Sequence, residues 1–400
     1  MSSTADFVIA GAGVIGLAVA REIRRRHANA KIIVLEKEGD VGLHASGRNS
    51  GVLHSGIYYT PGTLKAKFCG AGARQMREFA RIHGVPCRTP GKIILSSGAE
   101  DESGLDRLMA NAEGNGIQAE RIDADRVRDI EPHAAKVPGI LCRDTGVIDS
   151  KAVLKALVDE LKKSGVEFRH GARGEVLGAN ESALRVRSGE SVSFGFFFNC
   201  AGARADRLAK LFGLGEEFVL VPFKGIYYSL KPERAHLVRE SIYPVPDLRF
   251  PFLGIHLTRN VSGDVYVGPT AIPAFGSENY GFIKGVRCAE FFSITGHLCK
   301  MYFSRDPQFR RLVHHEVAHY FKNRFLAAAQ RLVPALTPED LRPSAKVGVR
   351  PQLVRRKDAR LEMDFVIEKT ARSVHVLNAI SPAFTCAFPF SRFVVEGAVV

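Results

Sequence analysis

Apolar positions along the chain follow two periods, and the switch between them marks the elements. Phe7-Val-Ile-Ala10 is an unbroken apolar run, as in a strand buried on both faces, and it stops at Gly11-Ala-Gly13-Val-Ile-Gly16. From Leu17 the spacing turns helical, and a second apolar run, Lys31-Ile-Ile-Val-Leu35, ends at Glu36. Strand, glycine turn, helix and strand within about 30 residues make a βαβ unit. Helical spacing recurs over Leu64–His83, Ser103–Asn115, Ala124–Asp129 and Lys151–Ser164. Val166 to Ala201 reads as strands, and Val219 to Thr270, with short alternating runs rich in Tyr, Phe and Val, reads as an antiparallel sheet. Helices are predicted through 287–333 and strands again at 365–378. The long uncharged stretch between Arg372 and Arg392 is interrupted by Asn378, Pro382 and Pro389, so it reads as buried loop, strand and helix rather than a membrane span. The order of these elements predicts an α/β (α+β overall) chain: a Rossmann-like dinucleotide domain interleaved with an antiparallel-sheet substrate domain. That arrangement suits a flavoprotein better than a simple dehydrogenase.

Composition narrows the class. With 400 residues, 46% hydrophobic and 24% charged, the chain can bury a large core, and disorder, collagen and coiled coil are excluded. Seven cysteines without a CxxC pair fit a reducing compartment rather than a disulfide framework or a structural zinc site. Met1 to Asp6 carries no basic or apolar leader pattern, so a cytoplasmic location is expected. The formal charge of +14 is scattered rather than concentrated on one element, which argues against nucleic acid as a partner.

The chemistry begins at the glycine turn. Gly11 permits the tight turn, Gly13 lets backbone approach a pyrophosphate, and Gly16 lets helix pack on strand. The helix N-terminus offers unpaired N–H groups to phosphate. Glu36, with Lys37 beside it, ends the second strand, where a carboxylate accepts hydrogen bonds from ribose hydroxyls. FAD and NAD share this fingerprint, so the turn alone leaves them open.

The segment Ser46-Gly-Arg-Asn-Ser-Gly-Val-Leu-His-Ser-Gly-Ile-Tyr-Tyr-Thr-Pro-Gly-Thr-Leu-Lys-Ala-Lys-Phe-Cys69 resembles the FAD-dependent L-2-hydroxyglutarate dehydrogenases and oxidases, within the D-amino-acid-oxidase superfamily. The likeness continues through Thr145-Gly-Val-Ile-Asp149, Val221-Pro-Phe-Lys-Gly225, Ile242-Tyr-Pro-Val-Pro-Asp247, Phe250 to Thr258, Gly268-Pro269, Gly348-Val-Arg-Pro351 and Asn378 to Thr385. It implies a D-amino-acid-oxidase-like fold, with residues 1–85, 145–218 and 345–400 forming a discontinuous FAD-binding domain and 86–144 and 219–344 a substrate domain. By the same likeness, Gly11, Gly13, Gly16, Glu36 and Lys37 would hold the ADP part of FAD. Ser46, Asn49, Ser50 and Gly51 would follow the pyrophosphate and flavin, Val176 the adenine, and Ala201-Gly202 a second phosphate-facing turn. Gly348, Ser381, Pro382 and Thr385 would border the flavin ring.

Oxidation of a 2-hydroxy acid requires a carboxylate anchor, a hydride acceptor and a base for the hydroxyl proton. Arg350 matches the superfamily's carboxylate-binding arginine, and Lys224 stands where a second carboxylate contact is expected. His54 and His256 are the candidate bases because imidazole titrates nearest neutrality. Tyr59 and Tyr243 are candidate substrate hydrogen-bonders. Arg48 and Phe384 replace a histidine and a small residue of the family pattern, so the substrate is less securely implied than the flavin. Glycerol 3-phosphate, an amino acid, or flavin binding without turnover stay open as alternatives. The electron acceptor is a quinone, oxygen or a soluble carrier.

Two features fall outside this reading. His315-Glu316-Val-Ala-His319 matches HExxH, with Glu339 a nominal third ligand, but a hydrolytic zinc centre would leave every flavin segment unexplained. No metal role is therefore expected. The amphipathic, basic stretch from Arg287 to Arg331 reads either as a peripheral contact with an anionic inner membrane or as a solvated face.

Overall fold

The computed structural model describes residues 2–96, 101–304 and 307–398. Residues 305–306 of the predicted helical stretch lie outside these. Two large sheets organise the chain. The eight-stranded sheet is centred on Ser2–Ala10, which pairs in parallel with Ile32–Glu36 on one side and Ser191–Asn199 on the other. Glu167–His170 extends it in parallel beyond Ile32–Glu36. Val176–Ala179 and Ala183–Val186 continue it antiparallel beyond Ser191–Asn199, and Ser373–Val376 joins that same strand in parallel. Because the central strands are covered on both faces, they read as continuous apolar runs rather than as alternations.

The helices Val14–Arg26, Leu64–His83, Ser150–Lys163 and Ala383–Glu396 share one core with this sheet, built on Ile9, Leu17, Ile23, Val34, Phe68, Met76, Leu157, Phe198 and Phe390. Helix Leu64–His83 keeps its predicted ends for local reasons. Thr63 Oγ1 accepts from the Ala66 N–H at 3.2 Å, and Gly84 closes the other end at φ +64°. Asp149 caps Ser150–Lys163 in the same way, accepting from the Lys151 and Ala152 N–H groups.

The second sheet has nine strands, antiparallel except where Ser241–Pro244 runs parallel to Lys92–Leu95. Its longest pair joins Phe218–Leu230 to Leu341–Arg355, with Phe223 opposite Arg350 and Gly225 opposite Gly348. Leu341–Arg355 lies wholly in this sheet, and the boundary expected at 345 falls inside it. The predicted antiparallel region holds four strands between Phe218 and Gly268. The predicted helical region holds Cys288–Tyr302, Pro307–Ala318 and Lys322–Gln330. Strands at Lys92–Leu95, Ala119–Ile122, Gly139–Cys142 and Leu341–Arg355 are additions to the sequence-based picture. A three-stranded piece pairs Val52–Leu53 and Cys87–Arg88 with Gly146–Ile148, and through Leu53 and Ile148 it joins the core of the first layer. All seven cysteines are free.

Candidate active site

The site begins where Ser2–Ala10 gives way to Val14–Arg26. Gly11 holds φ +100°, and a Cβ there would stand 2.4 Å from the Cys200 carbonyl oxygen. A Cβ on Gly16 would stand 1.9 Å from the Gly11 carbonyl oxygen, so this glycine permits the turn without lining any cavity. No side chain of its own caps the helix at Gly13. Ser46 Oγ instead accepts from the Val14 N–H at 2.9 Å, reaching in from the loop. Glu36 Oε2 accepts from the Ala12 N–H at 2.9 Å and Oε1 from the Glu38 N–H at 3.0 Å, which fixes the carboxylate at the strand end. Asn49 braces the loop from within, donating to the Ser46 carbonyl at 2.6 Å and accepting from the Gly51 N–H at 2.8 Å. Gly51 has φ +75° and abuts the Ile148 carbonyl, so it shapes the loop from behind.

These groups open onto a cavity of about 530 Å³ that runs from Glu36 to Arg350 between the two sheets. Gly11, Gly13, Glu36, Lys37, Ser46, Asn49, Ser50, Val176, Ala201, Gly202, Gly348, Ser381, Pro382 and Thr385 all line it. Its rim near Lys37 is a charge network. Lys37 Nζ contacts Glu38 and His44 and lies 2.9 Å from Glu278, while Arg204 bridges Glu278 and Glu175 at 2.9 Å each. Against the pull of burial, Lys37 and Arg204 hold the Glu278 carboxyl down at about 2. Arg48 stacks its guanidinium 4.1 Å from the Tyr280 ring centre and donates to the Leu43 carbonyl at 2.7 Å. Tyr280 in turn bonds His44 Nδ1 at 2.7 Å.

At its inner end the cavity adjoins a chamber of about 50 Å³, with His54, Tyr227, Phe252, Ser381 and Arg350 lining both. Arg350 donates to the Pro251 carbonyl at 3.1 Å, lies over Phe252, and forms no ion pair among the described residues. Burial lowers its affinity for its proton, with Tyr227, Tyr59 and Glu316 opposing. Tyr243 and His256 line the chamber and stack with ring centres 3.9 Å apart. His256 Nδ1 faces the Gly254 carbonyl at 2.8 Å. A carbonyl only accepts, so Nδ1 carries the proton and Nε2 keeps its lone pair. Burial, with the nearby Lys92 and Arg350 charges, pushes His256 down to about 3 despite that bond. His54 is also pushed down to about 3, by burial first and then by Lys92, His256 and Arg350, and its Nδ1 has no partner. Lys92 is 1% exposed, donates to Tyr58 OH at 3.1 Å and lies over the Tyr58 and Tyr243 rings. Burial lowers it to about 8. The chamber is therefore lined or flanked by the positive charges of Arg350 and Lys92, two neutral imidazoles and the Glu316 carboxylate, an environment in which an anion with a removable proton would meet Arg350.

Two expected substrate residues stand elsewhere. Lys224 lines neither cavity, because its ammonium bonds the Gly281 carbonyl at 2.9 Å and Asn279 at 3.3 Å. Phe223, Gly225 and Tyr227 take the cavity face of their strand, so the alternation turns Lys224 to the other face. Tyr59 also lines neither cavity, and its ring packs against the hydrophobic core. Phe384 and Arg48 both line the main cavity. Glu339 sits in the short turn Pro338–Asp340, apart from His315 and His319. Tyr227, Phe252 and Lys92 were not anticipated as site residues, and Glu316, read from sequence only as part of the HExxH segment, lines the chamber. Tyr227 was reachable from the two-residue period, and Lys92 from being a charge within the apolar run Lys92-Ile-Ile-Leu95.

Residues 6–396 match the family model described as FAD dependent oxidoreductase. The chain is 36% identical over 404 residues to the L-2-hydroxyglutarate dehydrogenase of Escherichia coli K12, covering 98% of this chain and 92% of that protein. It is 35% identical over 420 residues to the mitochondrial L-2-hydroxyglutarate dehydrogenase of Bos taurus, covering 99% and 89%. Among solved structures, L-alpha-glycerophosphate oxidase from Mycoplasma pneumoniae with FAD bound superposes with a TM-score of 0.78 at 21% identity, covering 100% of this chain and 95% of that one. Glycine oxidase from Geobacillus kaustophilus gives 0.71 at 17%, covering 99% and 95%.

Proposed function

The chain belongs to the FAD dependent oxidoreductase family, and from that premise we propose that it oxidises L-2-hydroxyglutarate, or a closely similar 2-hydroxy acid, to the 2-oxo acid. The observation that carries the reading is Arg350, a half-buried guanidinium without a carboxylate ion pair among the described residues, facing a small chamber with two neutral histidines. Its near full-length identity with named L-2-hydroxyglutarate dehydrogenases supports the choice of substrate.

The residues present fit FAD. The glycine turn has room where a side chain would collide, Glu36 is pinned at the strand end, and the cavity is long and continuous. Gly11, Gly13 and Ser46 would hold the pyrophosphate, Glu36 the ribose, Val176 the adenine edge, and Gly348, Ser381, Pro382 and Thr385 the ring. Bound there, FAD supplies the two-electron acceptor for the substrate hydride. Arg350 holds one substrate carboxylate by its two-pronged donor geometry. Lys92, without touching substrate, adds positive potential beneath the chamber. His256 takes the hydroxyl proton on Nε2. Its low proton affinity in the free protein rises when an anion is placed beside it, because the added negative charge favours imidazolium. Tyr227, Phe252 and Tyr243 wall the chamber and keep water out. The domain division we favour keeps 1–85 and 145–218 with the FAD layer and 86–144 and 219–344 with the substrate layer, and counts Leu341–Arg355 with the latter.

Among the described residues no helix is long and apolar enough to cross a membrane. Phe282, Ile283, Phe292, Phe303 and Phe321 are nevertheless exposed, Phe282 by 88%, in a region carrying Lys284, Arg287, Lys300 and Lys322. This pattern supports a peripheral contact with an anionic membrane from the cytoplasmic side, where a quinone would accept the electrons. Co-sedimentation with anionic vesicles at low but not high salt tests it, and no binding at either removes it.

The decisive test of the reaction is an anaerobic spectrum of the yellow protein. Bleaching by L-2-hydroxyglutarate supports the reading. Bleaching only by glycerol 3-phosphate or an amino acid moves the substrate, and bleaching by none leaves flavin binding without turnover.

A further inference from the structure

The HExxH segment is not absorbed by the reaction, yet its three polar side chains converge. Nitrogens of His315 and His319 and a carboxylate oxygen of Glu316 lie within 4.8 Å of one another. His315 Nδ1 is 3.3 Å and His319 Nδ1 is 3.8 Å from Glu316 Oε1. Ligands around a tetrahedral zinc ion stand about 3.4 Å apart, so the hydrogen-bonded His315–Glu316 pair already has that spacing and an inward adjustment of the imidazoles, His319 foremost, would bring in the third ligand. The helix Pro307–Ala318 stops just before His319, whose N–H donates to the Glu316 carbonyl at 3.0 Å, and this tight turn brings the second imidazole round. The His319 side chain is only 5% exposed, and its Nδ1 has no hydrogen-bond partner, although buried polar atoms are seldom left so. His315 is 62% exposed and gives an ion its way in. The arrangement is not that of a hydrolase. Glu316 Oε2 accepts from the Ala271 N–H at 2.6 Å, so the carboxylate is a held ligand rather than a free base.

We propose that His315, Glu316 and His319 bind one zinc-class divalent cation, with water completing its shell, and that the bound cation tightens substrate binding in the adjoining chamber. Glu316 lines that chamber together with Arg350. As a bare carboxylate it repels an incoming dianion and competes for the potential of Arg350, and a cation on Oε1 cancels that charge. The second half of the proposal rests on the dicarboxylate reading above. The first half does not.

The experiment uses the full-length flavin-loaded protein. Zinc binding is measured by calorimetry and by competition with a chromophoric chelator, and steady-state kinetics are run with and without zinc. One zinc per chain is expected, weakened at least tenfold in His315→Ala with flavin content unchanged. KM for L-2-hydroxyglutarate should fall several-fold with zinc in the parent and stay unchanged in His315→Ala. Absence of stoichiometric binding overturns the site. So does binding that survives His315→Ala but is lost in a Cys288→Ser, Cys299→Ser variant, since these two exposed thiols lie on the preceding helix. Binding lost in His315→Ala with no change of KM in the parent overturns the coupling. Zinc bound at His315 in a protein that L-2-hydroxyglutarate does not bleach upholds the site while the substrate reading falls.

Discussion

Arg350 combines partial burial with an open coordination sphere, and that sets the cost of losing it. Among the described residues its guanidinium meets one carbonyl and one ring face, so its remaining donors are open to a ligand. Removing one member of a buried charge pair costs about 2–5 kcal/mol, so Arg350→Met should lower kcat/KM at least roughly 30-fold, mainly through KM, in steady-state assays. Arg350→Lys should recover only part of this, because a point charge lacks the fork. His256→Asn should lower kcat by roughly 10²–10⁴ with KM little changed, the range for loss of a general base. If His54→Asn does this and His256→Asn does not, the base is His54. At this scale the sequence was legible where a residue type is demanded by backbone geometry, as at Gly11. It misled at Lys224, where a charge was matched to a ligand before the strand alternation was consulted.

Leu341–Arg355 is the element the sequence concealed. Pro343 and Pro351 and its scattered basic residues argue against a strand, yet among the described strands it pairs with Phe218–Leu230 alone, apart from a single bridge between Val354 and Leu361, and so runs along an edge, where a missing N–H is tolerated. That edge carries Arg350 and Gly348 to the cavity. The helix Leu64–His83, by contrast, was readable to its ends because cap, period and terminating glycine agree. Its Gly72 holds a second element-scale dependency. A Cβ there would stand 2.3 Å from the Thr385 carbonyl oxygen and 2.8 Å from Cys386 Cα in the helix Ala383–Glu396. Pro389 inside that helix has no N–H with which to bond the Thr385 carbonyl, which is left facing Gly72. Thr385 Oγ1 also accepts from the His54 N–H at 3.2 Å. Gly72→Ala should therefore destabilise by about 1–3 kcal/mol, as overpacking does, and also weaken flavin retention, read by thermal melting and by absorbance after dialysis. Gly296→Ala, in an exposed helix position with nothing within 4 Å of the added Cβ, should instead stabilise by about 0.5–1 kcal/mol.

For the molecule as a whole, buried histidines set the acid limit. His54 and His256 fall to about 3, through burial first and then neighbouring positive charge, and His375 to about 4 through burial, while in the unfolded chain each titrates near the ordinary histidine value of 6.5. Their folded values are depressed, so the stability they confer is present above 6.5 and lost as pH falls towards the folded values. Glu131, whose carboxyl burial pushes up to about 7, works in the opposite sense. From these four groups alone, three protons gained less one released leave a net two taken up on unfolding, so stability should fall by roughly 3 kcal/mol per pH unit near pH 5, visible as a melting temperature that drops steeply between about pH 7 and pH 5. The two-layer plan itself was legible because the N-terminal βαβ unit and the later β-rich region differ in period. The interleaving that brings residues 11–54, 174–211 and 348–385 to one cavity was not, since no local pattern records which distant strands meet. During synthesis Ser2–Ala10 must wait for its partner Ser191–Asn199, which at about 5–20 residues per second takes roughly ten to forty seconds to follow. Through that interval one edge of the future central strand lies bare to any passing chain. The cradle for the cofactor is complete only once residues 348–385 have left the tunnel, so translation order places flavin capture late in assembly rather than at the seed around which the fold forms.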